Sequence, residues 1–439
     1  MMTNHVRIPL FAALAAAVLL EPAGAAEILQ YADDDGVIQT AQVESVIRDE
    51  EEELTVKIIV GGRKRTLKLP ARRVVQFRRG DTEAENAWSN QLGRGLRMLS
   101  AGQLATEGTN PGAEEVFTKV AYTKEEGIKG QEALFAADPS HNMYALYYLI
   151  ETRYQMGMKG DKARLEMAAA DCLQFKERST KKKSIQWDIP GDKGAVGKGD
   201  VWCWGESRLM PDVMLLEAKI LAALERKDAA SKAFDEVIDR VKKKNLAPTI
   251  LTEAYLAKAE HEAKGLPSDQ QEKLFRDAGT LMATLARSQQ DVYSRQVIAR
   301  AANRALLRGA DLLMESAQQG KFGWDVPLQR YEQLRDGEGS RDPALWFGAQ
   351  AGVGVCLVEK GEGARAYEAL LDVAIRGGEY PETLARALFY LARAATLFAK
   401  EVEAAGGKGD FLRAESDLWR QDLKQRYPSS SWAERAQQK

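Results

Sequence analysis

The sequence predicts a mainly α protein: an α-solenoid of helical hairpins preceded by a small β-barrel-like domain. Three observations carry this. Residues 27–80 form short β-branched runs broken by tight turns, with an apolar period of two. From about residue 82 the apolar period becomes 3.6. From residue 142 to 438 helical segments rich in Ala and Leu come in pairs, punctuated by Gly and Pro. The 439 residues suffice for two or three domains with large buried cores. A hydrophobic share of 45% and a charged share of 29% are those of a soluble globular chain. The formal net charge of -2 excludes bulk attraction to nucleic acid.

Residues 1–25 read as a cleavable signal peptide. His5 and Arg7 form the n-region, Ile8 to Leu20 the apolar h-region, and Ala23-Gly24-Ala25 fits the small-x-small cleavage rule. The apolar run is shorter than the roughly 20 residues a spanning helix needs, so the processed chain is expected not to cross a membrane. Export to the periplasm or cell envelope follows as the expected address. Cys172, Cys203 and Cys356 are odd in number and widely spaced, which is not a disulfide framework. Cys172 and Cys356 fall in helical apolar patterns and read as small buried hydrophobes.

In the head, Ile28 to Tyr31 is β-like and Asp33-Asp34-Asp35-Gly36 is a turn. Val37 to Thr40 and Val43 to Ile47 follow, then an acidic turn, Asp49 to Glu53. Leu54 to Val60 is the clearest strand, Gly61-Gly62 turns the chain, and Arg63 to Leu69 returns. Pro70 stops that strand and Val74 to Phe77 closes the set. Tight turns between short strands imply a barrel that hides its own edges. The stretch resembles the SH3-like or Sm-like small barrels of some bacterial envelope proteins.

Residues 82–141 form a helical connector. Thr82 is positioned to cap a helix to about Leu104, with Trp88, Leu92, Leu96 and Leu99 on one face. Short helices are expected at Ala113 to Tyr122 and Lys124 to Phe135. The hairpins then pair Asn142–Met158 with Asp161–Glu177, Pro211–Glu225 with Asp228–Lys243, and Ile250–Ala263 with Ser268–Arg287. A long helix covers Val292 to Gln318. Pro343–Lys360 pairs with Gly363–Arg376, and Pro381–Ala404 with Asp410–Tyr427. Pro343 and Pro381 occupy first turns, where a missing N–H costs nothing.

Small and large residues alternate along these pairs: Ala218, Leu221, Ala230 and Phe234 in one, and Leu388, Leu391, Ala392, Ala414 and Leu418 in another. Tyr427-Pro428-Ser429-Ser430 ends one helix and places a Ser to cap the next. In these positions the chain resembles the tetratricopeptide-repeat proteins of the bacterial envelope, whose period is about 34 residues. It departs from the pattern at Met214, where a Trp is usual, and at Glu217, where a Leu is usual. Its repeat lengths are irregular, and residues 178–210 interrupt the array. The resemblance implies a degenerate solenoid that binds a partner segment in its concave groove.

Candidate chemistry is sparse. His141 stands at a helix start and His261 on a charged helix face, without the second His that a zincin needs. The Asp33–Gly36 turn lacks the first and twelfth ligands of a calcium loop, where Tyr31 and Gln42 stand. Gly191 to Asp200 fails the phosphate-loop pattern, with Asp192 at the first Gly position and Gly199 in place of Ser or Thr. No Gly-x-Ser-x-Gly elbow occurs. The sequence therefore implies no cofactor, no metal and no enzyme. The insertion is the better lead: Lys181, Lys182, Lys183, Trp187, Trp202 and Trp204 join cations to flat aromatic faces suited to a partner protein or, alternatively, a cell-wall glycan. In the head, Arg63, Lys64, Arg65, Lys68, Arg72, Arg73, Arg78 and Arg79 form a basic set that reads either as a positive face or as a solvated surface of mixed sign. The expected function is a non-catalytic protein–protein interaction scaffold of the cell envelope.

Overall fold

A computed structural model describes residues 27–60, 63–78, 87–108, 110–122, 140–179, 185–188, 196–199 and 207–437. The predicted signal peptide lies outside these residues, as do the Gly61-Gly62 turn, the Thr82 cap and the Lys124–Phe135 helix. The protein is mainly helical, with a five-stranded antiparallel sheet ahead of the helices. Its contacts divide it into two compact units: 27–261 with Ser288–Ile298, and Glu262–Arg287 with the residues from 299 onward.

In the first unit the strands are β1 (Glu27–Ala32), β2 (Ile38–Asp49), β3 (Glu53–Val60), β4 (Arg63–Pro70) and β5 (Val74–Arg78). They lie in the order β4-β3-β2-β1-β5. A single turn of 3-10 helix, Ala71–Arg73, follows Pro70 and feeds β5. Period-two alternation sends Leu29, Val43, Leu54, Val56, Ile58, Leu69 and Phe77 into one core. The register sets Val43 opposite Ile58, Val56 opposite Leu67 and Leu29 opposite Phe77. The two strands expected at Val37–Thr40 and Val43–Ile47 are one strand, β2, bent by register shifts after Val43 and after Val46. Bulges let one long strand curve without a turn, which the local pattern reads as a break.

Helices α1 (Ala87–Ser100), α2 (Ala113–Tyr122), α3 (Ser140–Met158), α4 (Lys162–Arg178), α5 (Met210–Ala223), α6 (Lys227–Lys244) and α7 (Pro248–Ala263) follow the sheet. α3 packs on α4, and α5 on α6, as antiparallel hairpins, and the first helices α3 and α5 also touch. Asp161 caps α4 by accepting from the Arg164 N–H at 3.2 Å. Asn245, at φ +50°, ends α6 in the left-handed region. A close contact at Gly157, where any side chain would overlap Leu165, brings α3 and α4 together. Ala218, Ala230 and Phe234 are buried as the alternation predicts, while Leu221 is half-buried.

Asp49 and Glu51 of the acidic turn face the helices, while Glu50 and Glu52 are exposed. Glu51 is 1% exposed and is held by Arg240 and Lys244 of α6, with Arg240 Nη2 donating at 2.7 Å. Arg208 Nε donates to Asp49 Oδ1 at 3.1 Å, and Tyr144 Oη to Asp49 Oδ2 at 2.5 Å. On the opposite polarity, Arg73 of the head pairs with Asp34 and lies 3.4 Å from Asp291, which in turn caps the next helix by accepting from the Ser294 N–H at 2.8 Å. Charge-assisted bonds of this kind fasten the sheet to the helices of its unit.

The second unit contains most of α8 (Ser268–Ser288) and of α9 (Val292–Gln318), then α10 (Asp325–Asp336), α11 (Pro343–Lys360), α12 (Gly363–Arg376), α13 (Pro381–Ala404), α14 (Asp410–Arg426) and α15 (Ser431–Gln437). α11 pairs with α12, α13 with α14, and the first helices α11 and α13 touch. Asp342 caps α11 by accepting from the Ala344 and Leu345 N–H groups at 3.0 and 3.2 Å, and Gly361 at φ +81° ends it. α11 is buried on nearly every side, because Gly348, Gly352 and Gly354 let Leu307, Tyr331 and Leu370 of three neighbouring helices come against its backbone. Ser430 Oγ accepts from the Ala433 N–H at 3.1 Å, as the Tyr427–Ser430 junction predicts. In α14, however, Ala414 and Leu418 are exposed, and Leu412, Ser416 and Leu423 are the buried positions. The helix carries two apolar stripes, and the one containing the half-buried Trp419 faces inward.

Candidate functional site

The described residues bring together a polar face that the sequence reading does not single out. It belongs to the first unit and is built from α3, α5 and α7. On α3, Tyr147, Glu151 and Tyr154 are spaced by four and three residues and so share one side of the helix. On α5, Asp212 and Lys219 lie two turns apart, as do Glu253 and Glu260 on α7. Lys219 Nζ pairs with Glu253, bridging α5 to α7. Gln155 Nε2 donates to Glu151 at 3.4 Å.

The electrostatics show that the three helices share one environment. Burial pushes the Tyr154 hydroxyl up, Lys219 opposes this, and Glu253 and Glu260 add to it. Burial also pushes Tyr147 well up, with Asp212 and Glu151 contributing. Asp212 is raised to about 6 by burial, with Arg208 opposing and Glu253 and Glu151 adding to the rise. Burial disfavours the Arg208 cation, but Tyr144, Asp49 and Asp212 outweigh it and hold the guanidinium charged. Arg208 also stands over the Phe77 ring at 5.8 Å. Asp212 thus links two sets of groups: the face on α3, α5 and α7, and a small cleft toward the sheet lined by Val74, Val75, Pro211, Leu246 and Ile250.

A carboxyl raised in the folded state makes stability fall as pH rises. Asp212 is neutral in both states below about pH 4. Above about pH 6 it is ionised in both, and only the folded state carries the burial penalty. The loss between those pH values is about 1–3 kcal/mol for this half-buried group. Asp212→Asn is expected to leave stability at pH 4 unchanged and raise it at pH 7. Urea midpoints at the two pH values check this, and a variant that loses stability at pH 7 would contradict it.

Lys181, Lys182, Lys183, Trp202 and Trp204 lie outside the described residues, as does Cys203. Trp187 is on strand β6 (Ile185–Asp188), which pairs antiparallel with β7 (Val196–Gly199) and sets Trp187 opposite Gly197. Gly197 and Lys198 therefore sit on a strand paired with β6, not on a strand-to-helix loop that would cradle a phosphate. Ser207 and Arg208, at the end of the insertion, are buried or nearly so at the sheet–helix contact.

The remaining candidates have structural settings. His261 Nε2 lies 3.3 Å from the Lys227 carbonyl oxygen and its ring is 6.2 Å from Phe234, so it joins α7 to α6. The His141 side chain lies outside the described residues. Asp33 makes a turn by accepting from the Asp35 and Val37 N–H groups at 3.1 and 2.9 Å. Of the basic set in the head, Lys64 pairs with Glu44, Lys68 with Glu53 and Arg73 with Asp34, which gives a surface of mixed sign. Cys172 and Cys356 are buried thiols, and burial pushes Cys172 well up and Cys356 to about 12. Among the described helices none is long and apolar enough to cross a membrane.

The face on α3, α5 and α7 had no signal in the sequence beyond the i, i+4, i+7 spacing of Tyr147, Glu151 and Tyr154. Tyr147 and Tyr154 there read as core residues until the pairing of α3 with α5 is known. No family model matches the chain, and no curated protein matches its sequence.

Proposed function

We propose that this protein is an exported, non-catalytic scaffold of the cell envelope, and that the face on α3, α5 and α7 is where it holds a partner protein. The observation that carries this is the grouping of two tyrosines with Glu151, Asp212, Glu253 and Glu260 from three helices of the first unit, α5 and α7 being bridged by Lys219 and Glu253. Tyrosine offers a large, stiff contact area with a polar tip, and it concentrates in protein interfaces. Glu151, Asp212, Glu253 and Glu260 outnumber Lys219 and Arg208, which favours a segment carrying Lys or Arg. Helical hairpins stacked in series supply such surfaces because each helix is fixed by its neighbours and loses little freedom on binding.

The proposal is tested by comparing proteins captured from an envelope extract by the native chain and by a variant carrying Tyr154→Ala and Glu253→Lys. A discrete partner held by the first and lost by the second, with both variants melting alike, supports the assignment. Identical capture by both chains would refute it.

A further inference from the structure

We propose that α14 carries a second docking surface, independent of the face on α3, α5 and α7, and that it accepts a basic amphipathic helix. Phe411 is 72% exposed and Leu418 is 61% exposed, far beyond the other large apolar residues of this helix. With exposed Ala414 between them they fall at positions i, i+3 and i+7, within an arc of roughly 60°. The ridge points away from the stripe that α14 buries, Leu412, Ser416 and Leu423. An apolar ridge with a small residue at its middle suits the close crossing of a second helix over Ala414.

The borders of the ridge identify the occupant. Asp410 and Asp417 flank it on one side, and Glu415 and Asp422 on the other. Asp417 reaches Arg420 at 3.2 Å and Asp422 reaches Arg426 at 3.0 Å, both at the exposed surface, and Glu415 accepts from Tyr367. Solvated pairs of this kind are weak, so Asp417 and Asp422 remain able to meet an incoming cation. A second copy of this chain is the wrong partner. Two α14 helices related by a two-fold axis would bring each acidic border against itself. A helix with apolar residues at i, i+3 or i+4 and i+7, bordered by Lys or Arg, satisfies both the ridge and its margins.

The test uses the full chain and a fluorescein-labelled peptide of about 18 residues, roughly five helical turns, with a Leu stripe bordered by Lys. Anisotropy titration is expected to show saturable binding. Affinity should fall at least about tenfold when Phe411→Ser and Leu418→Ser are combined. It should fall similarly when Glu replaces Lys in the peptide. The variant Tyr154→Ala with Glu253→Lys, which alters only the other face, should leave peptide affinity unchanged. No saturable binding, or equal binding by the Phe411/Leu418 variant, would overturn the proposal. So would loss of binding in the Tyr154/Glu253 variant, which would place the peptide on the other face. Self-association of the native chain that disappears in the Phe411/Leu418 variant would also overturn it, by identifying a second copy as the occupant. Both Phe411 and Leu418 are solvent-exposed, so their replacement should not disturb folding, and an unchanged melting curve verifies this.

Discussion

Arg153→Met is expected to cost about 3–5 kcal/mol, the largest effect of any single substitution considered for this protein. Arg153 is 7% exposed and lies between two buried carboxylates. Its Nε donates to Glu114 Oε1 at 2.9 Å, and its Nη1 to Asp171 Oδ2 at 2.6 Å. Glu114 comes from α2 and Asp171 from α4, so one guanidinium on α3 joins three helices. Burial disfavours its charge, and Asp171 and Glu114 more than compensate. Met retains the volume and removes the charge, so the buried Asp171 and Glu114 carboxylates lose the guanidinium between them. Arg164 also lies 3.1 Å from Glu114, so that carboxylate keeps a second cation. Hydrogen exchange of α3 and α4 amides reads the stability of this unit directly. Adding Asp171→Asn to Arg153→Met should recover part of the loss, because one of the buried carboxylate charges facing Arg153 is then gone as well. A change under about 1 kcal/mol for Arg153→Met would show that the network is solvated.

Gly352→Ala is the second large effect, expected at about 2–3 kcal/mol. The sign is diagnostic, since Ala in a helix interior is ordinarily better than Gly by about 1 kcal/mol. Here the added methyl would overlap the Tyr331 ring. That ring is fully buried, and its hydroxyl donates to Asp311, to which Arg386 Nη1 also donates at 3.0 Å. The ring has no room to retreat, so α10 and α11 must separate. Gly378→Ala, where an added Cβ meets nothing within 4 Å, should change stability by no more than about 0.5 kcal/mol. In a Tyr331→Leu background the penalty of Gly352→Ala should shrink, and thermal melts of the four chains form the double-mutant cycle. A stabilising Gly352→Ala would contradict this account of α11.

Much of the helical architecture was legible because local signals agree with the fold. Pro343 and Pro381 start helices, Gly361 stops one, and Ala113–Tyr122 and Val292–Gln318 have the bounds that their apolar period gives. α10 was not legible. Its pattern is short, carries Pro327, and finds its buried side only against α9 and α11 through Leu328, Tyr331 and Leu334. The exposure of Leu418 shows a second limit: period alone does not choose between two stripes on one helix. The tie between the sheet and its helices had no local signature, because Glu51 meets Arg240 and Lys244 across nearly two hundred residues of chain. The candidate site was illegible for the same reason. Tyr154, Lys219 and Glu253 come from three helices, and only their stacking makes them neighbours.

The most direct test is site-specific photocrosslinking in the producing cell, with the reactive side chain placed in turn at Tyr154, Lys219 and Glu260, and at exposed Lys232 on α6 as the control. Adducts with one shared protein from the first three positions and none from the fourth would establish the α3, α5 and α7 face as the place where a partner is held. No adduct from the three, or the same adducts from all four, would contradict it.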